Sequence, residues 1–177
     1  MIALEKKIGR LHVALAAAEI PHAFGGALAL AFCTLRARGT IDIDLNVFVD
    51  RSRTGDVLAA LPKGVAWSAE DQAVVERDGQ TRLWWETTPL DLFVNTTEFH
   101  EQLADRARVE WFDGAEVPFL SCSDLAVFKA FFNRTKDWAD LEEMIAAGTL
   151  DVDRLVGVLT QYLGPDDDRI ARLLSIA

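Results

Sequence analysis

Two aspartates one residue apart interrupt an apolar, β-branched run: Thr40-Ile41-Asp42-Ile43-Asp44-Leu45-Asn46-Val47-Phe48-Val49. Such a run reads as a buried strand, in which successive side chains point to opposite faces. Asp42 and Asp44 then point the same way, with Cα atoms roughly 6.6 Å apart. Unpaired carboxylates at that spacing repel one another and resist desolvation. The pattern calls for a compensating cation, and two adjacent acids on one face suit a divalent metal ion.

The chain has 177 residues, half of them hydrophobic (50%), enough for one domain with a real core and a helical appendage. No apolar stretch approaches the roughly 20 uncharged residues of a membrane span, so no membrane partner is expected. Glu5, Lys6, Lys7, Arg10 and Glu19 stud the first helical pattern, which is not that of a signal peptide. Cys33 and Cys122 lack CxxC spacing and any evident partner; the expectation is a cytoplasmic protein with reduced thiols. Eighteen Lys and Arg against 28 Asp and Glu give a net charge of −10, which argues against nucleic-acid binding driven by overall charge. The excess is uneven: basic residues outnumber acids over residues 1–40, and acids dominate residues 141–177.

Ile8, Leu11 and Leu15 mark an amphipathic helix stopped by Pro21. His22-Ala23-Phe24 reads as a short strand, and Gly25-Gly26 opens a helix through about Arg36. Ser68 caps a helix with an acidic first turn. Strands at 81–86 and 90–94 are joined by a bend at Thr87-Thr88-Pro89, and a hairpin crosses Asp113-Gly114. From Ser121 onward the pattern is helical, with Ser123-Asp124 as a cap. The expected fold is α+β: a mixed sheet flanked by helices over residues 1–120, then a helical bundle over 121–177 packed on that core.

Paired glycines between a strand and a helix admit a phosphate close to the backbone and aim helix-start amides at it. Gly25-Gly26 also reads as a plain tight turn, and is neither a Walker loop nor GxGxxG. A two-metal clamp needs a third carboxylate. Asp91 alternates with Leu90, Leu92 and Val94, one acid on the polar side of an apolar strand, and is the best candidate. Its plain alternative is an edge-strand residue facing solvent. Arg36 and Arg38 can meet phosphate or simply complement a helix C-terminus. Trp84, Trp85, Trp111 and Trp138 can stack on a base or pack the core. His12, His22 and His100 show no metal-ligand spacing.

Gly-Gly, a helix, Asp-x-Asp in a hydrophobic strand and a later lone Asp resemble the nucleotidyltransferase superfamily related to DNA polymerase beta. Downstream, Leu125-Ala-Val-Phe-Lys129-Ala-Phe-Phe-Asn-Arg134-Thr-Lys136-Asp137-Trp-Ala-Asp140-Leu141 resembles the Lys…Arg…Lys-Asp-x-x-Asp-Leu signature of the AbiEii family, which includes the MenT toxins of bacterial toxin–antitoxin pairs. The resemblance covers about residues 22–145.

It implies that Asp42, Asp44 and Asp91 bind Mg²⁺ in a two-metal site, Asp91 also serving as base, and that Gly25 and Gly26 cradle a triphosphate. Lys129 would contact phosphate, and Asp137 and Asp140 would be the helical-region acids. Read without it, Lys129 snorkels from a core helix, and the two acids are ordinary helix charges. The implied activity is transfer of nucleotides, from CTP or UTP, to the 3′ end of tRNA. That would block aminoacylation and translation, with a cognate antitoxin as protein partner. Arg36, Arg38, Lys129, Arg134 and Lys136 would supply the basic strip for tRNA. Thr40, two residues before Asp42, is a candidate phosphorylation switch. Two alternatives stand beside this: nucleotidyl transfer to an aminoglycoside-type small molecule or a protein, and a catalytically inert nucleotide-binding or regulatory subunit.

Overall fold

In a computed structural model the described residues are 2–37 and 39–177, and they fall into two compact units. The first unit is residues 1–28 and 39–120; the second is 29–38 and 121–177. The second unit takes up the chain again at Ser121, and it also includes residues 29–38, α2 (Gly26–Thr34) having its first turn in one unit and the rest in the other.

The first unit opens with α1 (Leu4–Ala17), whose Ile8, Leu11 and Leu15 are fully buried as their helical spacing predicts. Lys7 is buried on the same helix. Its Nζ donates to Trp85 O (2.8 Å) and Thr88 Oγ1 (2.9 Å) and meets Glu86 Oε2 at 3.0 Å. A buried ammonium is tolerable only when its donors are met, and here three oxygens meet them.

The strands follow as β1 (His22–Phe24), β2 (Ile43–Val47), β3 (Val65–Ala66), β4 (Gln80–Trp85), β5 (Thr88–Phe93), β6 (Arg108–Phe112) and β7 (Ala115–Phe119). Between them lie α3 (Thr54–Ala60), α4 (Ala69–Asp78) and α5 (Glu98–Glu101). Ser68 caps α4 in a full capping box with Asp71. Among the described residues the strands form one seven-stranded mixed sheet in the order β3-β4-β5-β2-β1-β7-β6. β2 lies parallel to β5 and antiparallel to β1, and β4-β5 and β6-β7 are hairpins. The central strands β2 and β5 bury Ile43, Leu45, Leu90 and Leu92 completely. This is the expected mixed sheet flanked by helices.

The second unit is helical: α2, α6 (Cys122–Phe132), α7 (Thr135–Ala146), α8 (Val152–Leu163) and α9 (Asp168–Ile176). Ser121, rather than Ser123, caps α6, its Oγ accepting from Asp124 N. Cys33 of α2 and Cys122 of α6 form a disulfide. The expectation of two reduced, unpartnered thiols is thereby corrected, and with it the argument from thiols to a cytoplasmic setting. Residues 89 positions apart carry no local spacing signal, so only the folded chain reveals the pair. Among the described residues no helix is long and apolar enough to cross a membrane.

Two tests follow from these contacts. A bridge closing a loop of 89 residues restricts the unfolded chain, so Cys33→Ser/Cys122→Ser should lower unfolding free energy by up to about 4 kcal/mol in urea titrations. His12 Nδ1 and His22 Nε2 lie 3.0 Å apart, and burial lowers both pKa values from 6.5. The unfolded chain then binds protons that the folded one refuses, so stability should fall as pH drops below 6.5. Replacing both histidines with Gln should flatten that slope in pH-dependent melting.

Candidate active site

Register brings the acids together. β2 pairs with β5 so that Asp44 lies beside Asp91, and β4 pairs with β5 so that Arg82 lies opposite Asp91. Paired residues on neighbouring strands share a face, so Asp44, Asp91 and Arg82 form one row across three strands, with strands about 4.8 Å apart. Arg82 grips Asp91 in a two-pronged fork, Nε donating to Oδ1 at 2.6 Å and Nη2 to Oδ2 at 2.7 Å. The hydrogen bond to Asp91 raises the Arg82 pKa above its ordinary value, its charge adds to this, and the charges of Asp42 and Asp44 contribute further. One guanidinium therefore feels all three acids.

Asp42 is held differently from the way expected. β2 begins at Ile43, so Asp42 and Thr40 precede the strand rather than alternate within it. Thr40 Oγ1 donates to the Asp42 carboxylate, and Asp42 N donates back to Thr40 Oγ1 at 3.3 Å. A local hydroxyl turn, not strand pleating, orients Asp42.

Gly25 and Gly26 link β1 to α2 beside Asp44. Gly25 N donates to Asp44 O (2.9 Å). Gly26 has φ +55°, and a Cβ placed there would lie 1.8 Å from Asp44 Oδ2. Only glycine leaves the Asp44 carboxylate room against this turn. Trp84, on the same face of β4 as Arg82, is exposed, as is Trp111, whereas Trp85 and Trp138 are core residues.

In the second unit Lys129, Asp137 and Asp140 meet one another. The Lys129 ammonium is buried and donates to Asp140 Oδ2 at 2.6 Å, with Asp137 Oδ1 at 3.8 Å. Burial pushes the Asp137 carboxyl up, but the hydrogen bond and charge of Arg134, with the charge of Lys129, outweigh it and hold the pKa below the ordinary value. Asp137 also accepts from Arg134 N and so closes the start of α7. Arg36 lies exposed beyond α2, and Arg38 falls outside the described residues.

Asp42, Asp44 and Asp91 offer hard carboxylate oxygens of the kind that suits Mg²⁺, and Arg82 already sets a positive charge on Asp91. The donor chemistry therefore fits a divalent cation. Among the described residues, however, no three acids, histidines or cysteines stand as a ready ligand set. Arg82 donates to both Asp91 oxygens, and Thr40 donates to Asp42. Arg82 was missed in the sequence. A two-residue turn at Glu86-Thr87 sets it opposite Asp91, and a bend placed at residues 87–89 hid that register.

Solved structures share this arrangement of elements. The solution structure of the antibiotic-resistance factor ANT(2'')-Ia superimposes with a TM-score of 0.63 at 15% identity, over 97% of this chain and 95% of the other. The crystal structure of ANT(2'')-Ia in complex with adenylyl-2''-tobramycin gives 0.61 at 16% identity, over 97% of each chain. An antigenic nucleotidyltransferase-like protein from Paracoccidioides brasiliensis gives 0.58 at 15% identity, over 97% and 87%. The fold is nucleotidyltransferase-like. No family model matches the chain, nor does any curated protein.

Gly26→Ala should force Asp44 out of place and strain the turn, lowering stability by about 1–3 kcal/mol. Calorimetry on the variant, with Gly39→Ala as a control in open space, checks it.

Proposed function

We propose that this protein is a metal-dependent nucleotidyltransferase that moves a nucleoside monophosphate from a nucleoside triphosphate to a hydroxyl of a polycationic small molecule. The observation that carries the reading is the strand register that sets Asp44 beside Asp91, next to a glycine turn against which Asp44 packs and with Asp42 two residues ahead of it. The three carboxylates would hold the divalent cations, which supply charge neutralisation on the triphosphate and ease ionisation of the acceptor hydroxyl. Asp91 accepts the hydroxyl proton at its carboxylate as the oxygen attacks the α-phosphorus. The bond to pyrophosphate breaks and pyrophosphate departs with its electron pair. Gly25 and Gly26 keep side chains out of the phosphate's approach to the α2 amides.

A net charge of −10 favours a cationic acceptor. The adenylyl-2''-tobramycin complex named above, matched along nearly all of both chains, supports the same acceptor class. The basic strip expected for tRNA is in part neutralised, since Lys129 is bound to Asp140 and Arg134 to Asp137. Arg36 and Lys136 remain exposed.

One observation favours the second reading, in which the acceptor is the tRNA 3′ end and the protein is a MenT-like toxin using CTP or UTP and restrained by an antitoxin. Thr40 is hydrogen-bonded directly to Asp42, so phosphorylation there would set about two negative charges against the metal-binding acids.

Incubation with each α-labelled triphosphate, Mg²⁺, and either an aminoglycoside or total tRNA tests both. Label on the aminoglycoside, reduced about 10³-fold or more by Asp44→Asn, is expected. Label on tRNA that Thr40→Glu abolishes would install the second reading. Absence of label with every acceptor would remove the enzyme assignment.

A further inference from the structure

Asp91 presents two oxygens, and Arg82 takes both. A cation ligated by Asp91 needs at least one of them, so guanidinium and metal make competing claims on the same atoms. The competition is winnable. The Arg82 side chain is 53% exposed and that of Asp91 20%, and an ion pair at the solvent boundary has little net worth. The Lys129–Asp140 pair, at 9% and 8%, is by contrast enclosed and costly to part. Cross-strand register keeps the Arg82 backbone opposite Asp91 whatever its side chain does, so a released guanidinium stays over the carboxylate row. There it is a planar fork suited to phosphate oxygens.

Resting on the metal-dependent reading above, we propose that Arg82 is an exchangeable internal counter-cation. It holds Asp91 until a divalent cation claims that carboxylate, and then pairs with the anionic oxygens of the nucleoside triphosphate. Arg82 is thus a positioning residue for the acid before substrate arrives and a phosphate ligand afterwards. The exchange offsets the repulsion between the neighbouring Asp44 and Asp91 during the interval between turnovers.

Metal binding, read without turnover, tests it. Mn²⁺ titrations of the full chain, followed by the free-ion electron paramagnetic resonance signal, compare wild type with Arg82→Gln, Arg82→Lys and Asp91→Asn. Losing the competitor and its repulsion should tighten Mn²⁺ binding by about fivefold or more in Arg82→Gln. The same variant should bind a non-hydrolysable triphosphate, with Mn²⁺ saturating, about tenfold more weakly. Arg82→Lys keeps the charge without the fork and preserves the fold if Arg82→Gln does not; it should shift Mn²⁺ binding the same way by a smaller factor. If Asp91→Asn weakens Mn²⁺ binding but neither Arg82 variant tightens it, Arg82 is a fixed clamp and the exchange is refuted while the metal reading stands. If neither wild type nor any Arg82 variant binds Mn²⁺, the metal reading falls and the exchange falls with it.

Discussion

The parallel pairing of β2 with β5 is the constraint on which the site depends, because it sets Asp44 beside Asp91 in the interior of the sheet. Two carboxylates about 5 Å apart repel by about 3 kcal/mol at an effective dielectric of about 20. A β-sheet core does not accept that for nothing. Arg82 offsets it by forking onto Asp91, while two neighbours make room for and orient the other acids: Thr40 turns its hydroxyl to Asp42, and Gly26 gives up its side chain so that Asp44 can lie against the turn. Each is a local departure from what apolar strand packing alone would choose, and all three fall within one unit of the chain.

Parts of this were legible in the sequence for reasons of short range. Alternation in Pro89–Val94, the helical spacing of Ile8, Leu11 and Leu15, and the Ser68 cap are each decided by neighbours within a few residues, and each formed where it was expected. Asp91 on a strand and Gly25-Gly26 at a strand–helix turn belong to the same class. What stayed hidden depends on pairing between distant segments. Lys7 reads as one more helix-surface charge until the β4-β5 turn is laid over it. Cys33 and Cys122 read as isolated because their separation carries no period. Asp42 was assigned to the strand by its apolar neighbours, but the strand starts one residue later and Asp42 is hydrogen-bonded to Thr40.

The two cation–carboxylate clusters illustrate how burial sorts roles. In the second unit, Lys129, Asp137, Asp140 and Arg134 satisfy one another at the junction of α6 and α7, where Asp137 also closes the first turn of the helix. Breaking such an enclosed pair leaves a charge without water or partner, a cost of roughly 3–5 kcal/mol. Lys129 keeps Asp140 as its partner in this enclosed cluster, with Asp137 at 3.8 Å. The Arg82–Asp91 pair has the opposite economy. It is strong in geometry, weak in net energy, and open to solvent on the arginine side.

That difference decides where chemistry is to be sought. A group that must change partners during a reaction has to sit where the exchange costs less than binding energy can supply. A buried pair fails this condition, while a half-exposed fork on a rigid strand meets it. The rigid part matters equally: β4 and β5 hold the two backbones in fixed register, so exchange moves a guanidinium and leaves the carboxylate row in place. Two acids held side by side by the β2–β5 register, with a half-exposed guanidinium forked onto one of them, form an arrangement in which a cation can change partners while the strands stay in place.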